Sequence, residues 1–195
     1  MKTVLFDFDS TLTTRDTLVP LAHHFAEIGQ EQYKLVLLYF CLILYKLKII
    51  NDKQLKQNFL ALFLKNKEVS FIQIIIERFV ADKLGLILSQ TAVGKLREHL
   101  SEGDQVYLVS ANFDFFLEQL VEKWKLFGLI CTETERVNSI FTGRIIGCTC
   151  KGENKIKKVI ETFEISALKD IIAYGDNEDD SFLKSVGLGI NLDKQ

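Results

Sequence analysis

Five short apolar runs, separated in the later part of the chain by helical segments, constrain this sequence more than any other feature. The runs are Thr3 to Phe8, Gln105 to Ser110, Leu129 to Cys131, Ile171 to Tyr174 and Leu188 to Ile190. Runs this short and this apolar read as strands buried on both faces, which is the pattern of a parallel sheet. Ser89 to Leu100, Phe113 to Lys125 and Glu153 to Phe163 read as the intervening helices. The alternation predicts a layered α/β fold.

One region breaks the alternation. Asp16 to Leu84 looks entirely helical and falls between the first and second strands. Asn51-x-x-Gln54 reads as a helix start ahead of Leu55 to Lys65. Ser70-x-x-Gln73 reads as a capping box for Phe71 to Leu84, with Gly85 as its stop. The expected division is a core from residues 1–15 and 85–195 and a helical cap from residues 16–84. An insertion there reads as a lid over the C-terminal edge of the sheet, where open α/β folds bind ligands. Val137 to Cys148, with Thr142-Gly143 between two apolar stretches, predicts a β-hairpin beside the main sheet.

Bulk properties narrow the function classes. The chain has 195 residues, 48% hydrophobic and 26% charged, with a net charge of −2. That suits one domain, or one domain with an insertion. The absence of a basic excess argues against a nucleic-acid partner. Cys41, Cys131, Cys148 and Cys150 follow no disulfide or zinc spacing and read as structural thiols. His23 and His24, adjacent on a helix, cannot face one ligand together and read as helix surface. The few apolar residues before Asp7 are too short for a signal peptide, so the expected compartment is the cytoplasm.

The polar residues that carry chemistry fall at strand ends. Asp7 and Asp9 follow the first apolar run at i and i+2, a spacing that sends both carboxylates to one side of a strand. Two carboxylates that close need a cation or a shared proton. One can then serve as a nucleophile and the other as a proton carrier. Alone, such a pair is equally well a solvated turn. Ser110 closes the second strand ahead of a helix, where a hydroxyl and free amides suit a phosphate, or where Ser is simply an N-cap. Lys155 lies in the first turn of a helix, a place that favours acids. Gly175-Asp176-Asn177-Glu178-Asp179-Asp180 follows the fourth strand and suits a hard cation or a solvated turn.

In combination, strand–Asp7-x-Asp9-x-Thr11, strand–Ser110, Lys155 and strand–Gly175-Asp176-x-x-x-Asp180 resemble the four motifs of the haloacid dehalogenase superfamily. The insertion after the first motif is similar to the cap of its phosphoserine-phosphatase-like branch, subfamily IB. So are Phe141-Thr142-Gly143-Arg144 and Gly152-Glu153-x-Lys155. The resemblance implies a three-layer, Rossmann-like parallel sheet core with an inserted all-helical cap of the C1 type. It implies a phosphatase in which Asp7 is the nucleophile and Asp9 the acid and base. Mg²⁺ would be held by Asp7, the carbonyl of Asp9 and Asp176, with Asp180 supporting the metal. Ser110, Ala111, Asn112 and Lys155 would bind the phosphoryl group, and Thr11 would orient the first loop. An acid at Asp9 favours ester cleavage over dehalogenation, because an alkoxide needs a proton and a halide does not. Asp179 departs from the Asn usual in phosphoserine phosphatases.

Substrate and partners follow less directly. The implied amine contact falls on Asp16, one methylene shorter than the Glu of the branch. The implied cap arginine falls near Leu60, and Arg15 and Arg78 are the only arginines near residues 16–84. Asp16 and Arg78 are therefore the specificity candidates, and the substrate is a small-molecule or lipid-head-group phosphate, with phosphoserine as the alternative. Leu35 to Tyr45 is apolar throughout and shorter than the roughly 20 residues of a membrane span. One reading buries it as the central cap helix. The sharper reading makes it a lipid-facing or dimer-forming surface with Lys34, Lys46 and Lys48 near polar headgroups. This lysine-flanked segment also resembles branch members that act on phosphatidylglycerophosphate. The rival classes are a phosphorylatable receiver and an inactive phosphate-binding protein.

Overall fold

Every residue from Val4 to Phe6 is fully buried, so the first strand is covered on both faces. In this computed structural model, which describes residues 1–176 and 180–192 (Asp180 by its backbone alone), the strands in chain order are β1 (Thr3–Phe6), β2 (Gln105–Phe113), β3 (Gly128–Thr132), β4 (Thr134–Val137), β5 (Ile140–Ile145), β6 (Ile171–Gly175) and β7 (Leu188–Asn191). Five of them form a parallel sheet in the order β3-β2-β1-β6-β7. The helices are α1 (Leu18–Gly29), α2 (Tyr33–Lys46), α3 (Asp52–Phe63), α4 (Val69–Asp82), α5 (Gln90–Ser101), α6 (Asp114–Trp124), α7 (Glu153–Thr162) and α8 (Asp180–Leu183).

The chain divides into two compact units, one of Met1–Asp16, Gly85–Thr132 and Cys150–Gln195, the other of Thr17–Leu84 and Glu133–Thr149. In the sheet unit, Leu5, Val109 and Ala173 pack with Val159 of α7 and Phe182 of α8. On the other face, Phe6 stacks on Tyr174 with ring centroids 4.4 Å apart and meets His99 of α5 edge-on. The sheet is therefore the middle of three layers, and each fully buried Leu or Phe contributes about 1.5–3 kcal/mol.

In the helical unit, Phe25 of α1 packs against Phe59 and Phe63 of α3 at 6.2 and 6.0 Å. The predicted start of α3 is present as a complete capping box. The Asn51 side chain accepts from Gln54 N at 2.9 Å, and Gln54 Oε1 accepts from Asn51 N at 2.8 Å. The predicted box at Ser70 is not formed. α4 begins at Val69 after Glu68, and Ser70 donates instead to Glu68 at 3.4 Å. Gly85 does not end α4 in a left-handed turn. It lies in the 3₁₀ turn Leu84–Ile87, beyond the helix.

The hairpin groups with the helices, a finding the chain order did not suggest. Its turn is also corrected: Asn138 and Ser139 make the reversal with φ of 49° and 61°, and Thr142-Gly143 lies inside β5. Positive φ at both central residues is the two-residue hairpin geometry that matches strand twist. Gly143 has a different task. A Cβ there would meet Lys65 Cβ at 3.2 Å and Ala61 Cα at 3.3 Å, at a φ of +83°. Glycine thus admits α3 close against the hairpin backbone.

Of the two readings of α2, the buried central helix is not what forms. Leu38 is its one fully buried residue, and Tyr33, Val36, Leu37, Tyr39, Phe40 and Ile43 are exposed. His24 is corrected in the opposite sense. It is buried against Phe79 and donates through Nε2 to the carbonyl of Ile75 at 3.0 Å, while His23 is exposed beside Tyr39.

Candidate active site

β1 ends one residue before the first acid. Asp7 keeps extended backbone angles, and its N–H donates to the carbonyl of Tyr174 at 2.9 Å, holding the tips of β1 and β6 together. From Phe8 the chain turns. Thr13 N closes it onto the carbonyl of Phe8 at 3.0 Å, and Ser10 at the apex has a φ of 60°. Asp7 and Asp9 are therefore not successive same-side residues of one strand. Asp9 sits in the turn, and the two acids have different partners. The Thr13 hydroxyl braces the turn by donating toward the carbonyls of Phe8 and Arg15, at 3.2 and 2.8 Å, and accepting from Ser10 N. A lone Thr some residues past a strand carried no sequence signal for that role.

Asp7 is 5% exposed. Its Oδ1 accepts from Lys155 Nζ at 2.7 Å, and its Oδ2 accepts from the Thr11 hydroxyl at 3.3 Å. Lys155 is 3% exposed and reaches Asp7 from the first turn of α7. Its ammonium also lies 5.2 Å from the Phe182 ring centre. A cation in a helix's first turn is unfavourable by itself, and here a buried carboxylate supplies the compensation. Gly152, with a φ of 56°, turns the chain into α7.

β2 does not stop at Ser110. It runs to Phe113 with a bulge against β3 between Val109 and Phe113, and α6 begins only at Asp114. The helix N-terminus expected at Ser110 is therefore four residues further on, and what surrounds Ser110 is bulged strand. Bulges re-aim side chains next to active sites. Ser110 and Asn112 are both buried, and Ser110 Oγ accepts from Asn112 N at 3.1 Å. Asn112 Oδ1 accepts from Phe113 N at 2.8 Å, which fixes the amide flip. The Nδ2 group is left to donate to Asp9 Oδ2 at 2.9 Å.

Thr132 ties this segment to the next. Its buried hydroxyl donates to the carbonyl of Ala111 at 2.7 Å and accepts from Cys150 N at 3.0 Å. One hydroxyl thus spans the β2 bulge and the approach to α7. Sequence reasoning missed it, because a Thr ending a short apolar run looks like ordinary strand. Asp176 is 8% exposed at the tip of β6, beside β1. The Asp180 side chain and all of Asn177, Glu178 and Asp179 lie outside the described residues.

The structure thus gathers Asp7, Asp9, Thr11, Ser110, Ala111, Asn112, Lys155 and Asp176 at the C-terminal ends of β1, β2 and β6 and the start of α7. Asp16 and Arg78 are exposed. Asp7 and Asp176 on neighbouring strand tips offer only oxygen donors, a set that fits a hard divalent cation such as Mg²⁺. The cysteines contribute no such set. Cys131 and Cys150 are buried, and burial holds the Cys131 thiol far above its ordinary range. His99, Glu102 and Asp104 cluster at the other end of β2. There His99 Nδ1 donates to Asp104 at 2.9 Å, holding that carboxyl below its usual range, and His99 Nε2 meets the Tyr174 hydroxyl.

Comparison with known proteins agrees with the fold. The model of the haloacid dehalogenase-like hydrolase family matches residues 4–181. A protein of unknown function from Bordetella pertussis Tohama I has a solved structure similar to this one. Its TM-score is 0.86 at 25% identity, over 96% of this chain and 88% of that one. A phosphoserine phosphatase captured as a phospho-aspartyl intermediate analogue is similar at TM-score 0.66 and 25% identity, over 97% and 85% of the two chains. A HAD family hydrolase from Salmonella enterica serovar Typhi shares the fold at TM-score 0.72 and 19% identity, over 97% of this chain and 61% of that one.

Proposed function

This chain belongs to the haloacid dehalogenase-like hydrolases and is a phosphatase, and from that premise we propose that it hydrolyses phosphomonoesters through an aspartyl phosphate formed on Asp7. One observation carries the reading. The buried Asp7 carboxylate is held at 2.7 Å by a buried lysine from a distant helix, while the second acid is held separately by Asn112. Two carboxylates with different partners suit two roles, nucleophile and proton carrier.

An oxygen of Asp7 attacks phosphorus, and the bond to the ester oxygen breaks. Asp9 gives that oxygen its proton. Asp9, now a carboxylate, takes a proton from the water that attacks the phosphoryl group on Asp7. Inorganic phosphate leaves and Asp7 is restored. Lys155 and Ser110 hold phosphoryl oxygens, aided by the backbone of Ala111 and Asn112. Thr11 keeps Asp7 oriented. Asp7, the Asp9 carbonyl and Asp176 would hold Mg²⁺, with Asp180 in support, and the ion supplies positive charge where a carboxylate meets an anionic ester.

The substrate class is a small-molecule or lipid-head-group phosphate, with Asp16 and Arg78 as the specificity candidates. Phosphoserine is the second reading, supported by the likeness to a phosphoserine phosphatase. Against it, the position matching the carboxylate-binding arginine falls near Leu60, which is buried within α3. The helical unit also holds Arg136 and Arg144, which enter it with the hairpin and which chain order alone had placed in the core.

Turnover of p-nitrophenyl phosphate with Mg²⁺ tests the class. We expect Asp7→Asn or removal of the metal to abolish it, a loss of at least about 10³-fold. Full activity in Asp7→Asn would refute the mechanism and favour a receiver or binding protein. In Asp9→Asn, alkyl phosphates should lose more than aryl phosphates, because a phenolate leaves with less protonation. Screening phosphoserine, sugar phosphates and lipid-head-group phosphates against Asp16→Ala and Arg78→Ala separates the substrate readings.

A further inference from the structure

The outer side of α2 is an apolar stripe with no covering. Tyr33, Val36, Leu37, Phe40, Ile43 and Leu47 are 49–70% exposed, and their spacing of three and four residues puts them on one helix face. The stripe is about 21 Å long at 1.5 Å per residue. Large side chains half or more bare over that length exceed the few hundred Å² that monomeric soluble proteins leave exposed in one patch. The inner side of the same helix is apolar too. Leu38 is buried, and Leu35, Leu42 and Tyr45 are half-buried, so solvent faces the side that composition would hide.

The charge that α2 itself carries is of one sign, Lys34 and Lys46. From Leu35 to Asn51 there is no acid, and Lys46 and Lys48 are exposed. In the helical projection Lys46 falls on one flank of the stripe, a place from which a lysine stem lies along apolar surface and lifts its ammonium outward, whereas Lys34 on the other flank is turned to Glu31 and the Phe63 ring. Glu31, the nearest acid at the N-terminal end, is occupied by Lys34 at 2.6 Å. No helix among the described residues is long and apolar enough to cross a membrane.

We propose that this face of α2 lies on an anionic lipid surface, with the stripe in the headgroup–acyl boundary and Lys46 and Lys48 on phosphate or carboxylate headgroups. A membrane-surface helix needs this combination of bulky apolar side chains and flanking lysines. A second copy of the chain satisfies less of it. Two such stripes packed antiparallel would bring Lys46 and Lys48 to the Tyr33 end of the partner copy, whose nearest acid is already paired. A lipid surface covers the apolar area and neutralises the lysines together. The inference stands apart from the reaction, because it uses no residue of the sheet unit.

Co-sedimentation of the whole protein with vesicles tests it, comparing phosphatidylcholine alone with equal parts phosphatidylcholine and phosphatidylserine. The protein should sediment with the anionic vesicles and stay in solution with the neutral ones. The double variant Val36→Asp/Phe40→Asp should lose vesicle binding. Lys46→Glu/Lys48→Glu should weaken it at least about 30-fold, in line with headgroup attraction near a charged surface, and added salt should also weaken it. Both variants should keep p-nitrophenyl phosphate turnover, which shows that they fold and separates this test from that of the reaction. No sedimentation with anionic vesicles, or equal binding by Val36→Asp/Phe40→Asp, overturns the proposal. So does a wild-type dimer that the same double variant dissociates, without vesicle binding by either protein.

Discussion

The two units place their unusual residues in opposite locations. The sheet unit buries charge: Asp7, Lys155 and Asp176 are each at most 8% exposed, at strand and helix ends. The helical unit exposes hydrocarbon, along the outer face of α2. Both arrangements are costly in isolation, since an unpaired buried charge and a bare apolar face are each unfavourable. The sheet unit offsets its cost internally, through ion pairs and hydrogen bonds among its own residues. The helical unit leaves the outer face of α2 uncovered among the described residues. Buried polarity thus marks the candidate site, and uncovered apolarity marks the face proposed to lie on a lipid surface.

The contrast fails most visibly if Lys155 is dispensable. In Lys155→Met, Asp7 is left buried without its cation, so metal-free protein should lose about 3–5 kcal/mol of stability and turnover should fall at least about 10²-fold. Chemical denaturation in the presence of a chelator, with p-nitrophenyl phosphate kinetics, measures both. A stable and active variant would mean that the buried pair is not the centre of the site.

Gly143→Ala probes the helical unit without touching a charge. The new Cβ meets Ala61 backbone and carries a left-handed φ, so the thermal midpoint should fall by an amount equivalent to about 1–3 kcal/mol. Turnover of p-nitrophenyl phosphate at low temperature should persist. Loss of turnover in the still-folded variant would show that the chemistry depends on the hairpin.

Asn112→Ala sharpens the sheet side of the contrast. Removing the Nδ2 donor frees the Asp9 side chain, and kcat for an alkyl phosphate should drop about tenfold, more than for an aryl phosphate. An equal loss on both substrates would reduce Asn112 to a structural residue.

His24 supplies the smallest effect, through pH. Burial holds its imidazole below the ordinary value of 6.5, more than the Ile75 hydrogen bond raises it, with smaller contributions from Lys83, Glu27 and Asp82. A lowered folded value means that the unfolded chain binds the proton first. Stability is therefore complete above pH 6.5 and declines as pH falls through 6.5 toward the folded value. Thermal midpoints between pH 7.5 and 5.5 should fall more steeply in the wild type than in His24→Gln.

Much of the site was legible because strand-end chemistry is written in local patterns. An apolar run leading into Asp7-x-Asp9-x-Thr11 announces both a strand and the acidic turn at its tip. Asn51-x-x-Gln54 announces a helix start in the same way, and the structure forms it in full. Legibility ended where a residue's role depends on a distant partner. The Thr132 hydroxyl is informative only once Ala111 and Cys150 lie on either side of it. Ser70 lost its predicted cap because α4 begins earlier, after Glu68.

The sequence alone determined the parallel sheet and the inserted helices, since each follows from periodicity, composition or spacing within one segment, while the acids and the lysine at the strand ends stood out only through their joint resemblance to the motifs of a family. Tertiary structure alone decided that Asp9 is held by Asn112, that the hairpin joins the helices through Gly143, and that α2 turns its apolar face outward. Burial and pairing are properties of what surrounds a residue, and no local pattern states which neighbours a helix will find.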